Sequence, residues 1–334
     1  MKSRLATLSS ATKHILLVIS SSAYLLAAVA VADERQAQLG RPGMHAMMRP
    51  DRAPASVGFG DMYHMGRWMV PYRYMRMDMG GNRDGSDGIE AGAIASTILN
   101  RFSGRPMQPP TLRIVPLDMS TEMHMFGLMY MPGARTNWML MLPYIEKEMD
   151  HVTFQGATAD RRLGRFTTSS EGLGDVKAAA LIRLFANDTH HIHVTGALSF
   201  PTGSITERAT VLTPMNAMPK VRMPYPMQLG SGTYDLEPAL TYAAHFERWS
   251  LGAQFKSTWR PDKNAEGYSL GDEHRVSFWG SYVWAPWLST SIQLALSDKD
   301  KIEGIDASIV GPVQTADPNN SGGERIELGL GLNL

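Results

Sequence analysis

The 334-residue chain contains no cysteine, which excludes a small domain stapled by disulfides. Charge of either sign is not in excess: 32 Lys and Arg stand against 32 Asp and Glu. Removing residues 1–32 takes Lys2, Arg4 and Lys13 and no acid, so the remainder carries 29 − 32 = −3. That balance excludes nucleic acid as a partner. After residue 32 no apolar run reaches the roughly 18 residues that a spanning helix needs, which excludes a helical membrane protein. Gly-x-Ser-x-Gly, His-Glu-x-x-His, phosphate-loop and dinucleotide motifs are all missing, so no catalytic residue and no enzyme is read here. Methionine is missing after Met227, although the chain holds 23 of them.

What is present begins with a basic segment and an apolar run, Ile15 to Ala32. It ends in Ala30-Val31-Ala32 before Asp33, a small-x-small cleavage site. This pattern predicts a secretory signal peptide over 1–32. Residues 33–66 hold Pro42, Pro50 and Pro54 and no sustained period, and predict a flexible Met/His-rich arm. Residues 67–334 then read as strands.

Arg67 to Met79 alternates Trp68, Val70, Tyr72 and Tyr74 with Met69, Arg73, Met75, Met77 and Met79. Successive strand residues face opposite sides, so one face is aromatic and the other mixed. The same alternation recurs over 119–131, 136–145, 174–185, 191–200, 234–246, 249–260, 275–284, 288–297 and 326–334. Short turns such as Asn187-Asp188 and Glu247-Arg248 alternate with long connections at 146–172, 201–232 and 261–271. Asp87-Gly88-Ile89-Glu90 predicts a capping box opening a short helix to about Asn100 inside a long loop.

A soluble β-sandwich would alternate in the same way. The export signal, the strand length and the loop asymmetry instead predict an all-β, antiparallel transmembrane barrel of the outer-membrane type with about ten strands. The chain ends Leu332-Asn333-Leu334, without the terminal aromatic that assembly machinery reads in many such barrels. Two expectations stay open: ten strands, or, with a truncated C-terminus, two more that make twelve. The partners expected are outer-membrane lipid, the barrel-assembly machinery, and a small solute or metal ion.

The methionines are the chemical feature. They recur at i, i+2, as in Met75-Arg76-Met77-Asp78-Met79, Met123-His124-Met125, Met129-Tyr130-Met131 and Met139-Leu140-Met141. On a strand that spacing lines one face with thioethers, here predicted to be the lumen. Thioether sulfur is a soft ligand that selects Cu(I), with histidine as a helper. The candidate metal residues are Met44, His45, Met47, Met48, Met62, His64 and Met65 in the arm. On the strands they are Met75, Met77, Met79, Met123, His124, Met125, Met129, Met131, Met139 and Met141. The competing reading makes the methionines a flexible apolar filler or a track for apolar solutes, with no cofactor. His190, His191 and His193 form a second group, read as solvated near a turn. Lys177, Arg183, Lys256, Arg260 and Arg275 fall on lumen faces with Asp235, Glu237 and Glu327, which predicts a mixed-charge network, because buried charges need partners.

Trp68–Asp87, Met123–Met131, Arg165–Asp175 (ending Gly-Leu-Gly-Asp), Ser199–Ser204 (Ser-Phe-Pro-Thr-Gly-Ser) and Tyr225–Asp235 (Tyr-Pro-Met-Gln-Leu-Gly-Ser-Gly-Thr-Tyr-Asp) carry a resemblance. Over about 62–334 the chain resembles bacterial outer-membrane proteins labelled as transporters and related to the meta-pathway phenol-degradation group. Its Met-rich stretches are similar to a copper-associated subset. The resemblance implies an outer-membrane β-barrel and passage of small hydrophobic or aromatic compounds, and it supplies no catalytic residues.

Two function classes follow as expectations: a channel or transporter for a small solute, with copper or an apolar compound as its cargo, and a structural or interaction barrel without transport.

Overall fold

The computed structural model describes residues 53–54, 56–62, 68–85, 87–106, 108–156 and 161–334. Strands β1 (Trp68–Met69) and β2 (Tyr72–Gly80) both pair antiparallel with β3 (Ile114–Gly133). They form one stave interrupted at Val70-Pro71, where proline has no N–H to give to the ladder. Next come β4 (Thr136–Gln155), β5 (Arg161–Leu173) and β6 (Val176–Ala186). β4 pairs with β5 along its second half and with β6 along its first, so β5 and β6 also form one broken stave. Then β7 (His190–Phe200), β8 (Asp235–His245), β9 (Trp249–Thr258), β10 (Glu273–Ala285), β11 (Leu288–Lys299) and β12 (Gly323–Asn333) follow, each paired with the one before. The twelve strands therefore make ten staves, the number the alternation predicts. Among the described residues, β1 and β2 pair only with β3, and β12 only with β11.

The faces fall as the alternation requires. Tyr72, Tyr74, Phe126, Leu128, Trp138, Leu140, Leu142, Leu251, Phe278, Ile292, Leu294 and Leu328 are exposed on the outside, while the intervening positions turn inward. Exposed aromatic and aliphatic side chains on the outer face of an antiparallel barrel suit lipid. No described helix is long and apolar enough to cross a membrane. The chain is a transmembrane β-barrel of the outer-membrane type.

Two expectations fail. The stretch 146–172 is not a polar loop: β3 and β4 run 20 residues each, and β5 continues the ladder from Tyr144↔Leu173 to Gln155↔Arg161. About ten residues suffice to cross a membrane, so half of this hairpin stands clear of it. The outer face records the boundary, changing from Leu140, Leu142 and Tyr144 to Glu146, Glu148 and Asp150. A charged outer face looks like a loop when lipid is the only environment considered. The capping box also fails. Helix α1 (Ala91–Thr97) starts later, and its N-cap Glu90 makes no side-chain cap bond. Asp87–Gly88 instead pairs with Arg83–Asp84.

The long connections are ordered and pack on one another. α1 buries Ala91, Ile94 and Ala95 against Leu112, Val115, Val152 and Phe154. Phe102, Tyr225, Tyr268, Ile309, Val313 and Ala316, from four separate connections, form a second cluster with Ile114. Arg113, fully buried between these layers, donates to the carbonyls of Ala95 at 2.6 Å and Gly156 at 2.7 Å. In this cap Arg222 meets the buried Asp306 at 2.9 Å. Burial pushes the Tyr268 phenol up to about 12.

Candidate functional site

The arm does not stop at the barrel mouth. The segment Ser56–Asp61 is inserted into the lumen, and the wall wraps around it. Gln254 Nε2 on β9 donates to the Gly58 carbonyl at 3.0 Å, and His193 Nε2 on β7 donates to the Phe59 carbonyl at 2.9 Å. Ser56 Oγ bonds Gln293 on β11. The Phe59 ring is buried on Ala179, Leu181 and Ala197, with Met62, Met139 and Met141 packed around it. Lys256 Nζ lies 5.6 Å from the ring centroid. Phe59 is also one of two described non-glycine residues at positive φ, 61°, a conformation that costs an L-residue roughly 1–2 kcal/mol. The contacts around it hold it there.

The predicted charge network exists beside this plug. Glu237, 2 % exposed, lies 2.5 Å from both Lys177 Nζ and Lys256 Nζ. Arg260 meets Asp235 at 3.0 Å, and Arg275 pairs with Glu327.

Outside the same part of the wall is an apolar concavity of about 470 Å³. Its floor is built by register. Trp138 pairs with Ala180, Ala180 with Gly196 and Gly196 with Pro238, so one row across four strands carries little side-chain bulk between its ends. Ala178 and Leu198 lie in the next such row, with Leu236 beyond them, and Trp259 closes the far side. A Cβ placed on Gly196 would meet nothing within 4 Å. Met139, Ala179 and Ala197 line this concavity and also touch the plug cluster. These three residues are shared by the outer concavity and the packing around the Phe59 ring. Pockets of this size suit small ligands.

The predicted metal residues do not assemble as one site. Met44, His45, Met47, Met48, His64 and Met65 lie outside the described residues. Met62 packs on the Phe59 cluster. Met75 and Met77 face inward on the edge stave but are 41 % and 42 % exposed, and Met75 sits opposite Met123. Met129 is buried against Asn137, whose Nδ2 lies 3.9 Å from its sulfur. Met131 is buried too, and Met139 and Met141 serve the plug.

His124 is a correction. It shares the outer face with Tyr72 and Tyr74, its Nδ1 lies 2.8 Å from Tyr72 Oη, and strand alternation turns it away from Met123 and Met125. The methionines that do converge are Met149, Met223 and Met227, with Met119 packed on them and Met79 in register beside Met119. Met223 and Met227 come from a loop whose sequence carries no period, so only the fold brings them there. Among the described residues no group of three His, Asp or Glu could hold a metal ion. His190 bonds Tyr242 at 2.8 Å, and the His191 and His245 rings meet edge to face at 5.4 Å.

Fold and site together define an outer-membrane-type barrel with an internal plug and an apolar concavity on the outside of its wall. The family model described as putative MetA-pathway of phenol degradation matches residues 103–318, and the chain belongs to that family. Among solved structures, the outer membrane channel from Pseudomonas putida F1 is similar at 14 % identity, covering 81 % of this chain and 84 % of that one, with a TM-score of 0.45. A mutant of TodX, described as a monoaromatic hydrocarbon channel, is similar at 11 % identity, covering 79 % and 69 %, with a TM-score of 0.38. No curated protein matches the chain.

Proposed function

We propose that the mature protein is an outer-membrane channel rather than an enzyme, and that it passes small apolar solutes, aromatic ones included. The single observation behind this reading is the apolar concavity on the lipid side of the wall, backed by alanines that reach the plugged lumen. Solute dissolved in the outer leaflet would enter sideways at Trp138 and Trp259, because the plug and the packed loops obstruct an axial path. The methionines of this region are then soft apolar lining, whose flexible thioethers adapt to solutes of different shape.

The test fills the concavity. Gly196→Leu with Ala180→Leu adds bulk on a face that already carries leucine, so the barrel keeps its lipid contacts. Cells producing this variant are expected to take up labelled toluene about fivefold more slowly than cells producing wild type. Uptake at the wild-type rate would sink the wall route. Loss of uptake that depends on Cu(I) supply would move the cargo to copper.

A further inference from the structure

We infer that the space now held by the Phe59 ring is a subsite for one neutral six-membered aromatic ring, with Lys256 as the residue that prefers aromatic over saturated solutes. This rests on the channel reading above and deepens it. The subsite is already shaped around a benzene ring. Ala179, Leu181 and Ala197 bury its edges, Met139 and Met141 pack beside it, and Lys256 Nζ stands within cation–π range of its face. Ala179, Ala197 and Met139 also line the outer concavity, so the subsite lies directly behind the solute's port of entry. Glu237 holds the ammonium of Lys256 at 2.5 Å and that of Lys177 at the same distance.

The chain's own phenyl ring is therefore a surrogate occupant. A solute ring and Phe59 compete for one place, and the φ of 61° at Phe59 lowers the cost of its departure, because leaving relieves that strain. The plug's other tethers run to the carbonyls of Gly58 and Phe59 from Gln254 and His193, and they break as the loop withdraws. The closed lumen and the aromatic preference thus share one residue pair, Phe59 and Lys256.

The experiment uses the refolded mature barrel in detergent micelles, with heat-modifiable migration as the check that each variant is folded. The probes are fluorobenzene and fluorocyclohexane, matched in size and followed by ¹⁹F NMR titration. Phe59→Ala vacates the subsite and is expected to tighten fluorobenzene binding about tenfold, because competition is removed. Its preference for fluorobenzene over fluorocyclohexane should be roughly three- to tenfold, the worth of one partly desolvated cation–π contact. In the Phe59→Ala background, Lys256→Met should erase that preference while keeping fluorocyclohexane affinity, and Lys256→Arg should retain it. Unchanged affinity on Phe59→Ala overturns the subsite. Equal affinity for the two probes in Phe59→Ala, or a preference that survives Lys256→Met, overturns the role of Lys256. If the filled-wall variant takes up toluene normally while these titrations succeed, the transport reading fails and the subsite stands. If uptake depends on the wall and the titrations fail, only the subsite falls.

Discussion

The Asp175 carboxylate accepts hydrogen bonds from the backbone N–H of Gly203 at 2.9 Å and of Ser231 at 2.7 Å. One side chain thereby joins the break between β5 and β6 to both ends of the 201–234 connection. The Ser231 hydroxyl adds a third bond at 2.9 Å, and Thr202 Oγ1 donates to the Gly174 carbonyl at 2.8 Å. The Gly-Leu-Gly-Asp, Pro-Thr-Gly and Leu-Gly-Ser-Gly-Thr-Tyr-Asp stretches, far apart in sequence, are thus one knot. Asp175→Ala is expected to destabilise this knot by about 2–3 kcal/mol, since charge-assisted bonds are lost and buried donors stay unpaired. Limited proteolysis should then cut within 201–234 while the staves stay protected.

The knot also predicts an asymmetry between two glycines. A Cβ on Gly230 would lie 2.5 Å from Asp175 Oδ1 and 2.6 Å from the Gly203 carbonyl oxygen, whereas one on Gly196 meets nothing. Gly230→Ala should cost about 2 kcal/mol or more through forced backbone shifts, and Gly196→Ala should be close to silent. Urea-induced loss of heat-modifiable migration measures both, and equal effects would contradict the packing.

His151 lies beyond the membrane boundary, stacked on Phe166 at 4.8 Å. Burial pulls its imidazole down to about 4, against weaker opposing effects of Met149 and Asp150. Between that value and about 6.5 the unfolded chain binds the proton and the folded chain does not, so stability falls as pH falls through this window. The loss approaches roughly 3 kcal/mol near pH 4 and no longer grows below it. Amide hydrogen exchange over 146–155 and 161–172 should quicken from pH 7 to pH 4 in wild type. His151→Phe should flatten that dependence.

Replacing Met75, Met77, Met123 and Met125 together by Leu conserves volume, so toluene uptake should stay within about twofold of wild type. A Cu(I) competition titration of the same variant is expected to leave affinity unchanged. A drop of an order of magnitude would return these thioethers to the role of soft ligands.

Arg113 offers a check on the cap. Arg113→Met removes the donors that join the α1 end at Ala95 to the hairpin tip at Gly156. The carbonyls left unpaired should loosen the cap by about 2–3 kcal/mol, seen as proteolysis within 81–112 with the barrel intact.

Much of this molecule was legible in the residue order, because a strand's period of two depends only on neighbours. Tyr72 with Tyr74, Leu140 with Leu142 and Ile292 with Leu294 announce a lipid face wherever a wall forms. Glu237 between Lys177 and Lys256 announces an inner network, because buried charge requires partners. His124 stands between Met123 and Met125 in sequence, yet the alternation of the strand turns it to the opposite face, beside Tyr72 and Tyr74. The hairpin over 146–172 reads as a loop in sequence because its outer face leaves the membrane and becomes charged.

What only the tertiary structure decided is which residues meet across the sheet. Register set Trp138, Ala180, Gly196 and Pro238 in one row and opened the concavity. Threading of Ser56–Asp61 through the lumen brought Phe59 to Lys256, almost two hundred positions away. Spacing along a chain encodes the face a side chain takes. It does not encode the partner, because pairing register and plug insertion are settled by contacts between segments whose separation in sequence carries no period.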